Sequence, residues 1–409
     1  MPSVLVTRAD VSFQDREYWT SLVLISEAVS AFCFAPVFGY LLDAAKTRQK
    51  WFLFGLVFLL VSMALFTAAS SIPWYIGTRI LQGAANVMVS LSAFTIVSDT
   101  VPRNRLGQVL GYVDIAFTLG FTLGPMLGGI IYHNAGYYSF CGTVFGLIGV
   151  DFILRLLIVE KKTAAKWLSS ESREGNDEAQ CLSQHSEASQ KKPSQVFAIW
   201  SLLQQPRILI ATWAVILQSL LNTALDSVLP VFVEDTFHWN TFGAGLTFLP
   251  IALTVLFQPL CGYLSDRFGT RIVAASGFTL LTPSLICMRF VHENTMQQKI
   301  LFFALLSLFG LFTNCSSPCL LVEMQKVAEE MAEKTPGIFG EKSATAQTFS
   351  IQQMAVYTGF TVGPILGGYV DSHYGWNTMV LSLGILPALT AVSTLWLSGP
   401  GSSKKATKD

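Results

Sequence analysis

The sequence predicts an all-α integral membrane protein, two helical bundles related by pseudo-twofold symmetry. Three observations point there. The 409 residues are 52% hydrophobic and only 13% charged, with a mean hydropathy of +0.50, whereas soluble domains carry about 25% charged residues. Eleven apolar runs are each long enough to cross a ~30 Å hydrocarbon core, which takes about 20 helical residues. One decapeptide is written twice, as GFTLGPMLGG at 120–129 and GFTVGPILGG at 359–368, with eight of ten letters identical.

The apolar runs lie near 19–42, 51–70, 74–97, 107–131, 138–158, 208–233, 242–264, 271–291, 299–322, 345–370 and 376–398. Between Trp51 and Val101 the only formal charges are Arg79 and Asp99, so that region has no wet face to offer and its solvent is lipid. Lipid admits only helices or closed barrels, because backbone groups there must pair internally. Barrel strands would be about half as long and would alternate, so the runs are read as continuous helices. The connections alternate in charge. One set carries Lys46, Arg48, Lys50, Arg103, Arg105, Arg267, Arg271 and the basic residues of 160–206, 323–344 and the tail. The other set (71–73, 132–137, 234–241, 292–298 and 371–375) contains neither Lys nor Arg. The positive-inside rule makes the first set cytoplasmic.

This gives a non-cytoplasmic segment at 1–18, a bundle of five spans at 19–159, a cytoplasmic linker at 160–206, a bundle of six spans at 207–398 and a cytoplasmic tail at 399–409. The linker contains SSESREGNDEAQCLSQHSEASQKKPS, which has too little apolar surface to bury a core. Residues 323–344 read as a charged cytoplasmic helix ending before Pro336 and Gly337. A second repeated landmark, GYLLD at 39–43 and GYLSD at 262–266, ends a span on the cytoplasmic side in each half. In the second half it closes the second span after the linker; in the first half it closes the first span. The symmetry therefore predicts a further span before Met1, with PSVLVTRADVSFQDREYW as the outer end of that helix and the loop after it. Internal repeats of this kind point to secondary transporters.

Net charge is zero and no basic stripe is present, so nucleic acid is not an expected partner. The seven cysteines form no CxxC pair, no histidine falls inside a span, and neither a cofactor, a metal nor an enzymatic site is expected.

The motifs resemble those of the major facilitator superfamily, in particular its twelve-span drug:proton antiporter group. GYLLDAAKTRQK resembles the cytoplasmic signature after the second span, GYLSDRFGTR its second-half echo, RILQG at 79–83 the fourth-span signature and GFTLGPMLGG the antiporter signature of the fifth span. ALDSVLPVF, PGIFGEK and AQTFS are similar to stretches of vesicular amine transporters and fungal efflux pumps. The resemblance covers Trp19 to Leu397. It implies a six-plus-six bundle and a monomer working in the lipid bilayer. It further implies proton-coupled export of a small-molecule substrate (a drug, toxin, secondary metabolite or amine) by antiport. The plasma membrane is the expected location, ahead of a vacuolar or vesicular one. The alternative is a transport-inactive truncated form or a transporter-derived sensor.

Three groups of residues follow. Gly120, Gly124 and Gly128 share one helix face, where small residues let helices approach closely in lipid, and Pro125 removes a backbone donor and bends the helix. With Gly129 and the second copy (Gly359, Gly363, Pro364, Gly367, Gly368), the resemblance makes this a seam that seals the outer side. Gly39, Asp43, Arg48 and Asp99, with Gly262, Asp266, Arg267 and Arg271 as the second copy, make a cytoplasmic latch by the same resemblance. Ala44 and Ala45 stand where the group has a basic residue and its neighbour. The third group lies inside the spans, where an ionisable side chain costs ~2.5–3.5 kcal/mol and marks a pathway or a partner. Arg79, followed by Gln82, is implied to bias a nearby acid. Asp226 lies one turn from Asn222; burial disfavours a charged carboxyl, so Asp226 is a candidate to exchange a proton for a cationic substrate. Glu27 and Asp114 are further candidates, each with reach to the interface as the alternative. Asp151 and Arg155, four apart, are expected to neutralise each other. Trp213, Phe232, Phe248 and Tyr357 are candidates for an adaptable aromatic wall.

Overall fold

The computed structural model describes residues 16–45, 47–102, 105–157, 198–239, 241–335, 338–339 and 344–397. The predicted segment 1–15, the linker up to residue 197 and the tail 399–409 lie outside the described residues. The first half comprises α1 (Arg16–Ala44), α2 (Arg48–Ala68), α3 (Ile72–Thr100) and α4 (Leu106–Leu157). The second begins with a short α5 (Ile199–Leu203) and the long α6 (Pro206–Phe237). It continues through α7 (Thr241–Leu246), α8 (Leu249–Thr254), a 3₁₀ turn (Val255–Phe257) and α9 (Gln258–Phe268). It ends with α10 (Thr270–Cys287), α11 (Met296–Lys334), α12 (Thr345–Tyr374) and α13 (Trp376–Thr394).

Eight helices among the described residues are long and apolar enough to cross a membrane: α1, α2, α3, the second arm of α4, α6, α10, α11 and α13. The other three expected spans fall on the first arm of α4, on α7–α9 and on α12. The predicted spans 107–131 and 138–158 share α4, whose 52 residues are interrupted at Gly136 (φ 79°, ψ −179°). That left-handed φ is open to glycine at little cost, and the chain doubles back there. Tyr137 Oη donates to the Phe66 carbonyl at 3.3 Å and the guanidinium of Arg155 lies 4.9 Å over the Phe52 ring, so the returning arm runs antiparallel to α2. Asp151, one turn earlier, feels the Arg155 charge. The run 242–264 corrects the expectation of a continuous helix. It is divided into α7, α8, the 3₁₀ turn and α9, with Pro250 and Pro259 each at the second position of the segment that follows a boundary, where a missing backbone donor interrupts the hydrogen-bond ladder.

Small residues set the helix crossings in each half. A side chain on Gly83 would strike the Glu27 carbonyl, so this glycine brings α3 against α1; Ser30 Oγ on α1 donates to the Ile80 carbonyl at 2.5 Å. In the second half α12 lies along α6. Added carbons at Gly359, Gly363 and Gly367 would meet Ser219, Thr223 and Ala224 of α6, and Thr223 Oγ1 donates to the Gly359 carbonyl at 3.2 Å. A shared apolar cluster joins the two halves, with Leu42, Leu91, Phe94, Leu106 and Leu110 from the first against Leu321, Val322, Ala346 and Phe349 from the second. Phe94 stacks on Phe349 with ring centroids 5.3 Å apart. Outward-facing Leu147, Ile153, Leu209 and Leu256 are exposed, as a lipid-facing surface requires.

The two decapeptides fold as helix but meet different surroundings. Among the described residues, Gly120, Gly124 and Gly129 have nothing within 4 Å of an added side-chain carbon, and Gly128 faces only the Phe140 ring of the returning arm. Alanine replacements separate the copies. Gly363→Ala should destabilise the purified protein by about 1–3 kcal/mol through overpacking. Gly124→Ala should be neutral or stabilise by up to about 1 kcal/mol through helix propensity. Thermal unfolding in detergent reads both; equal effects at the two sites would contradict this contrast.

Candidate functional site

The residues singled out in the sequence gather at the end of the bundles that carries the basic connections and along the interface between the halves. At that end each half caps a helix of the other. Asp43, next to last in α1 and buried, accepts hydrogen bonds from the backbone N–H groups of Ala346 and Gln347 at 2.9 and 3.0 Å. Asp266, near the end of α9, accepts from the N–H groups of Gly107 and Gln108, both at 3.1 Å. The second and third residues of a helix have N–H groups without helical partners, and a carboxylate there also meets the positive end of the helix dipole. Gly107 and Gln108 lie 239 residues before Ala346 and Gln347, the separation of the two decapeptides. The two caps are therefore symmetry mates.

The glycines of the same motifs permit the approach. A side chain on Gly39 would sit 2.8 Å from Ser350, and one on Gly262 would overlap the carbonyl of Gly107. Arg48 pairs with Asp99 at 2.5 Å, lies 3.6 Å from Asp43 and donates to the Thr95 carbonyl at 3.3 Å. It thereby ties α3 to the acid that caps α12. The second copy is built differently. Arg267 and Arg271 are exposed, and among the described residues neither pairs with Asp266; the cation that acts on Asp266 is Lys326 of α11. Burial pushes the Asp266 carboxyl above the usual carboxylate range, while the Gln108 and Gly107 N–H groups and Lys326 pull it back.

Deeper in the membrane, Arg79 of α3 meets Glu27 of α1 at 2.6 Å, and Asn86 Nδ2 donates to the other Glu27 oxygen at 2.9 Å. Arg79 also lies 5.0 Å over the Phe66 ring. Tyr357 of α12 is close enough to feel the Glu27 charge. The Gly83 crossing is what lets this pair form, and Gln82 makes no hydrogen bond to it. Asp114 of α4 accepts from Gln258 Nε2 of α9 at 3.1 Å, a bond across the two halves. Asp226 lies partly buried in the middle of α6, beside buried Leu225, Val228 and Leu229. Among the described residues it has no hydrogen bond and no counter-ion, and Asn222 does not reach it. Of the aromatic candidates, Phe232 stacks on Trp376 at 3.8 Å inside the second bundle and Trp213 Nε1 donates to Thr390 at 3.1 Å; only Tyr357 reaches a charged group. A cavity of ≈ 400 Å³ lined by His238, Trp239, Gly243 and Leu246 lies at the outer end of α6, away from these charges.

Residues 11–340 and 250–409 match the family model of the Major Facilitator Superfamily. The chain belongs to this superfamily. It is 27% identical to the MFS-type transporter ppzB of Metarhizium rileyi, over 98% of this chain and 90% of that protein. It is 21% identical to the human synaptic vesicular amine transporter over 85% of this chain, spanning 60% of that protein. The crystal structure of the E. coli fucose:proton symporter superposes with a TM-score of 0.69 over 97% of this chain and 94% of that one, at 15% identity; that likeness shows the fold.

As a member of the superfamily, the chain is a membrane transporter and not an enzyme. Sequence reasoning placed Arg48 with Asp99 and put Arg79 near an acid. It missed Asn86, Gln258, Lys326 and the backbone donors of α4 and α12. The glycine four residues after Arg79 was the one available signal for the α1–α3 crossing.

Each carboxylate cap is worth ~0.5–2 kcal/mol. Asp43→Asn keeps the shape but removes the charge, so it should lower the closed-to-open ratio at this end of the bundles roughly fivefold, a loss of about 1 kcal/mol. Pulsed electron paramagnetic resonance between labels at the exposed Lys50 and Lys334 positions reads the separation. An unchanged distance distribution would show that the cap does not hold the halves.

Proposed function

We propose that this transporter exports a small organic molecule, amphipathic and cationic in character, by exchange for protons. The observation that carries the reading is Asp226, a partly buried acid in mid-helix with no hydrogen bond and no counter-ion among the described residues. Glu27 is neutralised by Arg79 and Asp114 is held by hydrogen bonds, so Asp226 is left as the uncompensated negative charge. A proton or a cationic substrate satisfies such a group equally well, and binding of one expels the other. That competition, joined to a latch that opens and closes the cytoplasmic end, is antiport. The seam of Gly359, Gly363 and Gly367 packs α12 on α6 one turn from Asp226, so the acid sits beside a close helix contact of the second half. The similarity to a protein named for amine transport supports a cationic substrate. The protein acts as a monomer in the plasma membrane on this reading.

Inside-out vesicles with an imposed pH gradient test it, with ethidium as the probe. The gradient should drive ethidium in, a protonophore should abolish the movement, and Asp226→Asn should reduce it at least tenfold. Unchanged accumulation by Asp226→Asn would remove that residue from the mechanism. The open face of Gly120, Gly124 and Gly129 favours a second reading, in which the 409-residue chain does not transport. Absent ethidium movement with an intact latch distance would establish that reading.

A further inference from the structure

The hydrogen bonds around Gln258 form a chain that crosses from one half to the other and ends in the broken span. Gln258 opens α9 just after the 3₁₀ turn and is 1% exposed. Its Nε2 faces Asp114 Oδ2 at 3.1 Å, Asn314 Oδ1 at 3.3 Å and Thr118 Oγ1 at 3.5 Å. Asn314 of α11 donates in turn to Thr254 Oγ1 at 3.2 Å, and Thr254 donates to the Ile251 carbonyl at 2.7 Å. Thr254 is the last residue of α8. Ser317 of α11 also bonds to Asp114.

The polarity of this chain fits an ionised Asp114. A carboxylate only accepts hydrogen bonds, and the amide nitrogen of Gln258 is turned toward it. A protonated Asp114 must also donate. Besides the Thr118 and Ser317 hydroxyls, the acceptor within reach is Gln258 Oε1, which is buried with no hydrogen-bond partner among the described residues. Rotating the amide by a half turn offers that oxygen to the acid and turns the amide nitrogen to the side where the oxygen had no partner. The rotation also points an oxygen at Asn314 Oδ1, so the Asn314 amide must turn as well. Thr254 then donates where it had accepted and gives up the Ile251 carbonyl. One proton on the first half thus reverses the chain down to the end of α8, beside the 3₁₀ turn where the span is already interrupted. A buried donor or acceptor left unpaired is costly, so mixed orientations of the two amides are disfavoured against one polarity or the other.

We propose that Asp114, Gln258, Asn314 and Thr254 form a polarity relay that carries the protonation of Asp114 to the α8–α9 break, with Gln258 as the positioning residue that links the halves. It rests on the proton-driven reading above and divides the labour within it: Asp226 exchanges its proton with substrate, and Asp114 sets the conformation. The groups facing Asp114 are Thr118 on its own helix, Gln258 on α9 and Asn314 and Ser317 on α11, none of which carries a charge. The free thiols of Cys261 and Cys315, the titratable groups of α9 and α11 nearest in sequence to Gln258 and Asn314, lie against each other.

Infrared difference spectroscopy between acidic and neutral pH, on the full chain in liposomes, reads the relay without any substrate. The wild type should show a carboxylic-acid C=O band that is lost in Asp114→Asn. In Gln258→Leu the acid has no amide oxygen to donate to, so the band should shift to higher frequency; a band at the wild-type position would overturn the proposal. Asn314→Leu cuts the chain one bond later and serves if Gln258→Leu does not fold. It should leave the Asp114 band in place and abolish the pH-dependent change in hydrogen exchange across 249–268. A retained pH response in that segment would also overturn the proposal. The outcomes are separable from transport: loss of ethidium movement in Asp226→Asn with a Gln258-insensitive band sinks the relay alone, and a responsive relay without proton-driven movement sinks the antiport reading alone.

Discussion

The crossed carboxylate caps are the constraint on which the arrangement of the two bundles depends. Asp43 reaches from the first half to the start of α12, and Asp266 reaches from the second half to the start of α4. Each half therefore gives the other an acid and a helix end. The donors are backbone N–H groups at fixed positions, so the caps specify distance and rotation between the bundles as well as attraction. Hydrogen bonds weaken steeply once geometry is lost, which makes each cap either formed or broken. The glycine crossings at Gly39 and Gly262 bring the helices close enough for capping, and the stacked Phe94 and Phe349 fill the space beside the first cap.

Around that frame the acids of the membrane interior occupy three different environments. Glu27 is an ion-pair partner, close to Arg79 because Gly83 lets α1 and α3 touch. Asp114 is a bridge between halves, held by uncharged side chains. Asp226 lacks both. Taking a charge out of water is costly unless it is paired or hydrogen-bonded, so the first two are structurally compensated and the third carries its cost unrelieved. The difference arises from what each helix faces, since all three acids sit in similarly apolar sequence.

The repeated decapeptide shows how far a motif's letters go. Both copies make helix and both line glycines along one face. The copy on α12 docks against α6, with Thr223 and Ala224 filling the space the glycines leave. The copy on α4 meets no neighbour at Gly120, Gly124 and Gly129 among the described residues. Close packing is a property of two surfaces, and eight shared letters describe only one of them.

Composition and hydropathy were enough to determine a helical membrane protein, because the cost of placing charge or unpaired backbone in lipid leaves few alternatives. The duplicated landmarks marked the two related halves, and the Arg48–Asp99 pair was legible because both belong to one edge of the first bundle. Tertiary structure alone decided the rest. The partners of Asp43 and Asp266 are peptide N–H groups 303 and 159 residues away, which leave no letter to read. Gln258 and Asn314 look like any polar residues within apolar runs until α4, α9 and α11 converge. The break in 242–264 is invisible to hydropathy, which counts apolar side chains and ignores the backbone donors that proline removes. Sequence sets what each segment can bury and where charge is tolerated; which groups meet depends on how distant helices cross.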